Sequence, residues 1–169
     1  IAVQAVQKAG EVLREHFGKK RHVIRKSPKE MVSEVDMQAQ KEILQILETY
    51  NPSYGILTEE RRFQEPPSGK MWIIDPIDGT HNYIAGLPFS GVSIGLAEDN
   101  DFQLGAVYFP QEDELFCAVK GEGAFCNGEA IRVSDNADLS KAMICFDNQF
   151  HAHDRSFERI FDHREPVRH

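Results

Sequence analysis

Asp75 and Asp78 stand three residues apart where the apolar run Trp72-Ile73-Ile74 ends, with Pro76 between them and Gly79-Thr80-His81-Asn82 directly after. The run reads as a strand. Pro76 has no N–H to give a ladder, so the chain must bend near it. Gly-Thr-His-Asn then offers a tight turn and a helix start. Two carboxylates, the Ile77 carbonyl and backbone amides brought to one point suit a hard divalent cation that holds a phosphate. Magnesium takes oxygen ligands in near-octahedral geometry. Glu59 ends a short upstream run, Gly55-Ile56-Leu57-Thr58, and adds a third carboxylate if the two strands are neighbours. Three carboxylates gathered without a cation would repel one another. The plainer reading is that Asp75 and Asp78 cap a turn, with Asp78-Gly79 as turn residues. The spacing alone leaves both open.

Other motifs do not compete well. Counted from Asp75, an EF-hand loop would need an acid at its third position and a glutamate at its twelfth; Ile77 and Gly86 stand there. Gly121-x-Gly123 has Cys126 in place of the last glycine of a dinucleotide fingerprint and lies between strand-like runs. Neither a Walker loop nor a G-x-S-x-G elbow occurs. His151 and His153 form a pair without an evident third ligand. Cys117, Cys126 and Cys145 contain no C-x-x-C spacing and read as reduced thiols of a cytosolic protein, without a nearby base to activate any of them.

The elements that must position these groups can be read in order. Ala2, Val6, Ala9, Leu13 and Phe17 have the spacing of an amphipathic helix, stopped by Gly18. A basic loop follows, Lys19 to Arg21 and then Arg25-Lys26. Ser33-x-x-Asp36 begins a second helix, with Ala39, Ile43, Ile46 or Leu47, and Tyr50 on its buried face. That spacing resembles a capping box, so Asp36 has a structural role available to it. Residues 61–70 have no apolar period and form a connector, or a lid if they lie beside a site. Val92, Ile94 and Leu96 alternate with smaller residues, and runs at 102–109, 114–119 and 130–133 follow, separated by turns such as Asn127-Gly128. Short turns between strands imply an antiparallel sheet, and helices first with hairpins after give an α+β chain. Residues 139–146 read as a strand opening a new unit and 154–161 as a helix. The expected division is a domain over 1–136 and the beginning of another over 137–169.

With 169 residues, 41% hydrophobic and 27% charged, the composition is that of an ordinary globular domain. Its apolar runs fall far short of the ~20 residues of a membrane span, and no signal peptide is visible, although the chain starts at Ile1 without a methionine. A net charge of −8 argues against nucleic acid or an anionic membrane as partner. It would also repel a phosphorylated substrate, so bound cations would have to supply the local attraction.

Five ordered blocks resemble the inositol monophosphatase family, one of the lithium-sensitive, magnesium-dependent sugar phosphatases. They are Lys26-Ser-Pro-Lys-Glu-Met-Val-Ser-Glu-Val-Asp36, Leu57-Thr-Glu-Glu60, Trp72 through Thr80, Leu87-Pro-Phe-Ser-Gly-Val-Ser-Ile-Gly-Leu96, and Asp113 through Gly128. The resemblance implies a layered αβαβα fold, a small phosphorylated metabolite as substrate, two or three Mg2+ ions, inhibition by Li+, and a homodimer in the full-length form. It implies that Glu59, Asp75 and the Ile77 carbonyl hold one metal and that Asp75 and Asp78 share a second. Thr80, with Glu59 or Asp36, would orient a water for in-line attack on phosphorus. Asp36 could cap its helix and also face a further metal. Gly79 and Thr80 would bind phosphate oxygens, Asp78 would also touch a sugar hydroxyl, and Lys26 is an auxiliary candidate.

The sequence departs from the family pattern in places. Ser33 stands where the family usually has Thr, and Glu30 where it has Asp. The family's C-terminal segment, with a Trp-Asp motif completing the second metal site, has no counterpart here, and Trp72 is the sole tryptophan. The leading expectation is hydrolysis of inositol monophosphate. The alternatives are fructose bisphosphate, histidinol phosphate or a nucleotide phosphate as substrate, or a non-catalytic metal-binding homologue.

Overall fold

The computed structural model describes residues 1–19, 23–25, 31–58, 69–99 and 101–143. The chain divides into a unit over Ile1–Arg132 and another over Val133–His169. In the first, α1 (Ala2–His16) is followed by the strands β1 (Val23–Arg25) and β2 (Met31–Ser33), then α2 (Glu34–Tyr50), β3 (Gly55–Leu57), β4 (Lys70–Asp78) and the short helix α3 (Thr80–Ala85). Strands β5 (Gly91–Glu98), β6 (Asp101–Phe109), β7 (Glu114–Val119), β8 (Gly123–Cys126) and β9 (Glu129–Ile131) complete it. Strands β3 to β9 form a seven-stranded sheet in chain order, and β1 pairs with β2 alone. The fold is α+β, with helices packed on a mixed sheet.

The core lies between α1, α2 and the central strands. Val6 and Leu13 of α1 and Ile43 and Leu47 of α2 meet Trp72, Ile74, Val92, Ile94 and Tyr108 of the sheet. Each such side chain contributes about 1.5–3 kcal/mol by leaving water. Gly10 brings α1 close to β6: a Cβ there would overlap the Tyr108 ring deeply and lie 3.5 Å from Pro110 Cβ. The ring cannot swing aside cheaply, because its hydroxyl donates to Asp113 Oδ1 at 2.6 Å and accepts from the Arg14 guanidinium. Arg14 also donates to the Pro110 carbonyl at 3.0 Å and to Asp113 Oδ1 at 3.0 Å. The Tyr108 hydroxyl and then Arg14 hold the Asp113 carboxyl below its usual range, while burial and then Asp113 push the Tyr108 phenol up. In an exposed helix Gly→Ala would stabilise. Here Gly10→Ala should destabilise by about 1–3 kcal/mol through overpacking, read as a lower midpoint in urea unfolding; an unchanged or raised midpoint would contradict this packing.

Several expectations need correction. Strands β3 and β4 are parallel, with Gly55 opposite Met71 and Leu57 opposite Ile73. The segment 58–69 between them is long enough for the crossover that parallel neighbours require, so the sheet is mixed and not purely antiparallel. Tyr50 lies at the end of α2 and is 56% exposed. Strand β9 stops at Ile131, and Leu139–Lys141 form a single 3-10 turn where a strand was expected to begin. The antiparallel pairing of β1 with β2 was not read from the sequence, which placed a basic loop across Arg25, since strands this short carry little periodicity. The expected strand beyond residue 143, the helix over 154–161, Cys145, His151 and His153 lie outside the described residues.

Candidate active site

Strand β4 does not end at Asp75. Its ladder with β5 pairs Ile74 with Ile94 and Asp75 with Ser93, then resumes at Asp78 opposite Gly91. Three steps along β4 thus match two along β5, which is a bulge. Pro76 sits within it, where its missing N–H costs the ladder nothing. The bulge lets the strand carry both aspartates to its end before the chain turns.

The turn depends on glycine. Gly79 has φ 79° and ψ 39°, the left-handed region, and caps α3. A Cβ there would lie 2.7 Å from the Phe89 carbonyl oxygen and 3.5 Å from Ser90 Cα. The loop that closes over it is tied down by Asn82, whose Nδ2 donates to Phe89 O at 2.9 Å, while Leu87 N donates to Asn82 O. Tyr83, fully buried, donates from its hydroxyl to Leu13 O at 2.7 Å and so anchors α3 to α1. Neither the Asn82 clamp nor the Tyr83 anchor was read from the sequence. Both are long-range or loop-closing bonds that no local spacing encodes.

Asp75 is half-buried, and its Oδ1 accepts the Ile77 N–H at 3.1 Å. Asp78 is exposed at the strand end. The Ile77 carbonyl accepts a hydrogen bond from Thr80 Oγ1 at 2.8 Å. Thr80 Oγ1 also lies 3.5 Å from Asp36 Oδ1, which brings two side chains 44 residues apart in sequence into contact. Asp36 is 8% exposed and occupies the N3 position of a complete capping box with Ser33. Glu59, Glu60 and Lys26 lie outside the described residues. Among the described residues, no three His, Cys, Asp or Glu side chains gather closely enough to hold an ion. The donor chemistry nonetheless suits a hard cation: Asp75, the Ile77 carbonyl and Asp78 fall on three of four consecutive residues of one bulged strand end, and all three offer oxygen. A carbonyl has two lone pairs, so the Thr80 bond leaves Ile77 O able to face a cation.

Comparison with known proteins shows a family and a fold. The profile of the inositol monophosphatase family matches residues 1–168. The chain is 40% identical over 148 residues to inositol monophosphatase 3 of Solanum lycopersicum, covering 85% of this chain and 55% of that protein. It is 42% identical over 146 residues to the Nus factor SuhB of Xylella fastidiosa, covering 85% and 53% respectively. The solved structure of the Thermotoga maritima IMPase superposes with a TM-score of 0.75 at 39% identity, over 81% of this chain and 54% of that one. The chain thus spans about half the length of the relatives it matches.

Proposed function

The chain belongs to the inositol monophosphatase family, and from that premise we propose that it carries the metal- and phosphate-binding residues of a magnesium-dependent phosphomonoesterase acting on inositol monophosphate. The observation that carries this reading is the bulged end of β4, which runs through Asp75, Ile77 and Asp78 straight into the Gly79–Thr80 turn beside Asp36. Asp75, Asp78, the Ile77 carbonyl and Glu59 would hold the cations. Magnesium, when bound, lowers the pKa of a water and stabilises the attacking and leaving oxygens of an in-line displacement.

The remaining work falls to the chain. Gly79 and Thr80, where α3 begins, would hold phosphate oxygens. The Thr80 hydroxyl has a single proton to give. Donated to Ile77 O at 2.8 Å, it leaves the oxygen's lone pairs to accept from a water and orient it. Asp36 Oδ1, 3.5 Å from the same oxygen, would take the hydroxyl proton once the hydroxyl turns from Ile77 O toward it, while Thr80 Oγ1 accepts the proton that the attacking water gives up. Asp78, exposed at the strand end, would also face the sugar.

Substrate choice is tested by phosphate release from inositol monophosphate, fructose bisphosphate, histidinol phosphate and a nucleoside phosphate under one set of conditions. The highest kcat/KM is expected for inositol monophosphate, with lithium inhibiting. A higher value for another of the four would transfer the assignment to that substrate. The likeness to a protein named as a Nus factor favours a second reading, an interaction subunit without turnover; release from none of the substrates would favour it.

A further inference from the structure

The bond lengths within the capping box of α2 are unequal in a way that helix capping does not need. In an N-cap the serine hydroxyl earns its place by accepting the N3 amide. Here that bond, from Asp36 N to Ser33 Oγ, is long at 3.4 Å. The short bond runs the other way: Ser33 Oγ donates its proton to Asp36 Oδ2 at 2.5 Å. Ser33 N donates to the same Oδ2 at 2.8 Å. Both donors therefore fall on one oxygen of the carboxylate, and the other, Oδ1, is the one that faces Thr80 Oγ1. Ser33 itself is fully buried. A carboxylate turns easily about its last side-chain torsion, and two charge-assisted bonds on one oxygen stop that rotation.

We propose that Ser33 is a positioning residue, which acts through Asp36 to keep Oδ1 directed at the Thr80 hydroxyl, and that its role as a helix cap is secondary. This rests on the assignment of Asp36 and Thr80 to the reaction made above. Glycine separates the two roles, because it is nearly as good an N-cap as serine yet has no hydroxyl to donate. Threonine keeps both functions.

The test measures kcat, KM and thermal midpoint for Ser33→Gly, Ser33→Ala, Ser33→Thr and Asp36→Asn in the complete protein, acting on inositol monophosphate. Ser33→Gly and Ser33→Ala should each lower kcat by about tenfold or more with KM little changed, as expected for losing a hydrogen bond to a charged group that acts in the transition state. Ser33→Thr should restore most of kcat. A purely capping residue would instead show a lower midpoint in Ser33→Ala and wild-type kcat in Ser33→Gly, which would overturn the proposal. If Asp36→Asn kept full activity, the role given to Asp36 would fall and this inference with it. If the wild-type protein released no phosphate, the phosphatase reading itself would be the part that failed.

Discussion

Asp78→Asn should lower kcat by at least about two orders of magnitude while leaving the unfolding midpoint almost where it is. A bound divalent cation contributes several kcal/mol of charge stabilisation in the transition state, and each ~1.4 kcal/mol lost is a factor of ten in rate. Asparagine keeps the size of the side chain and a carbonyl oxygen but not the negative charge. The fold should not notice. Asp78 is exposed and its side chain has no hydrogen bond or ion pair among the described residues, and substitutions of that kind usually stay within about 0.5 kcal/mol. Steady-state kinetics together with a thermal melt checks both halves. Activity surviving the change would show that the second cation was wrongly assigned; a large fall in midpoint would show that Asp78 is part of the scaffold.

Gly79→Ala should damage both stability and turnover, and turnover more. A residue other than glycine in the left-handed region costs about 1–2 kcal/mol. The new Cβ would in addition lie 2.7 Å from the Phe89 carbonyl, an atom fixed by Asn82. The clash must be relieved by moving the turn that carries Thr80, and a displacement of about 1 Å at a reacting centre can cost roughly a hundredfold. Gly86→Ala is the matched control. Its φ is 75°, also left-handed, but a Cβ there meets nothing within 4 Å. It should show the backbone cost alone, with kcat kept. Equal losses of kcat in the two variants would mean that the Phe89 contact does not hold the turn.

The part of the site that was legible in advance is the part written in consecutive residues. Trp72 to Thr80 announced a strand, a bend and a turn because apolar run, proline and glycine each act locally. The deflection expected at the proline takes the form of a bulge, after which the ladder with β5 resumes at Asp78. The Ser33–Asp36 capping box was likewise visible in its spacing and is present. Its bond lengths were not, because they depend on how the carboxylate is turned. Proximity of Asp36 to Thr80 came only from the resemblance, since no local pattern links residues on α2 and α3. The parallel pairing of β3 with β4 was missed for a related reason: strand direction is decided by the connection between strands, and the residues of 61–70 show no period to read.

The central claim is that the end of β4 serves a cation-assisted phosphatase. The most direct measurement is phosphate release from inositol monophosphate by the complete protein, first with magnesium, then after chelation, then with magnesium restored. Turnover should appear with the metal, vanish on chelation and return on its addition. Release that persisted after thorough chelation, or none with magnesium while Asp75 and Asp78 are intact, would contradict the account.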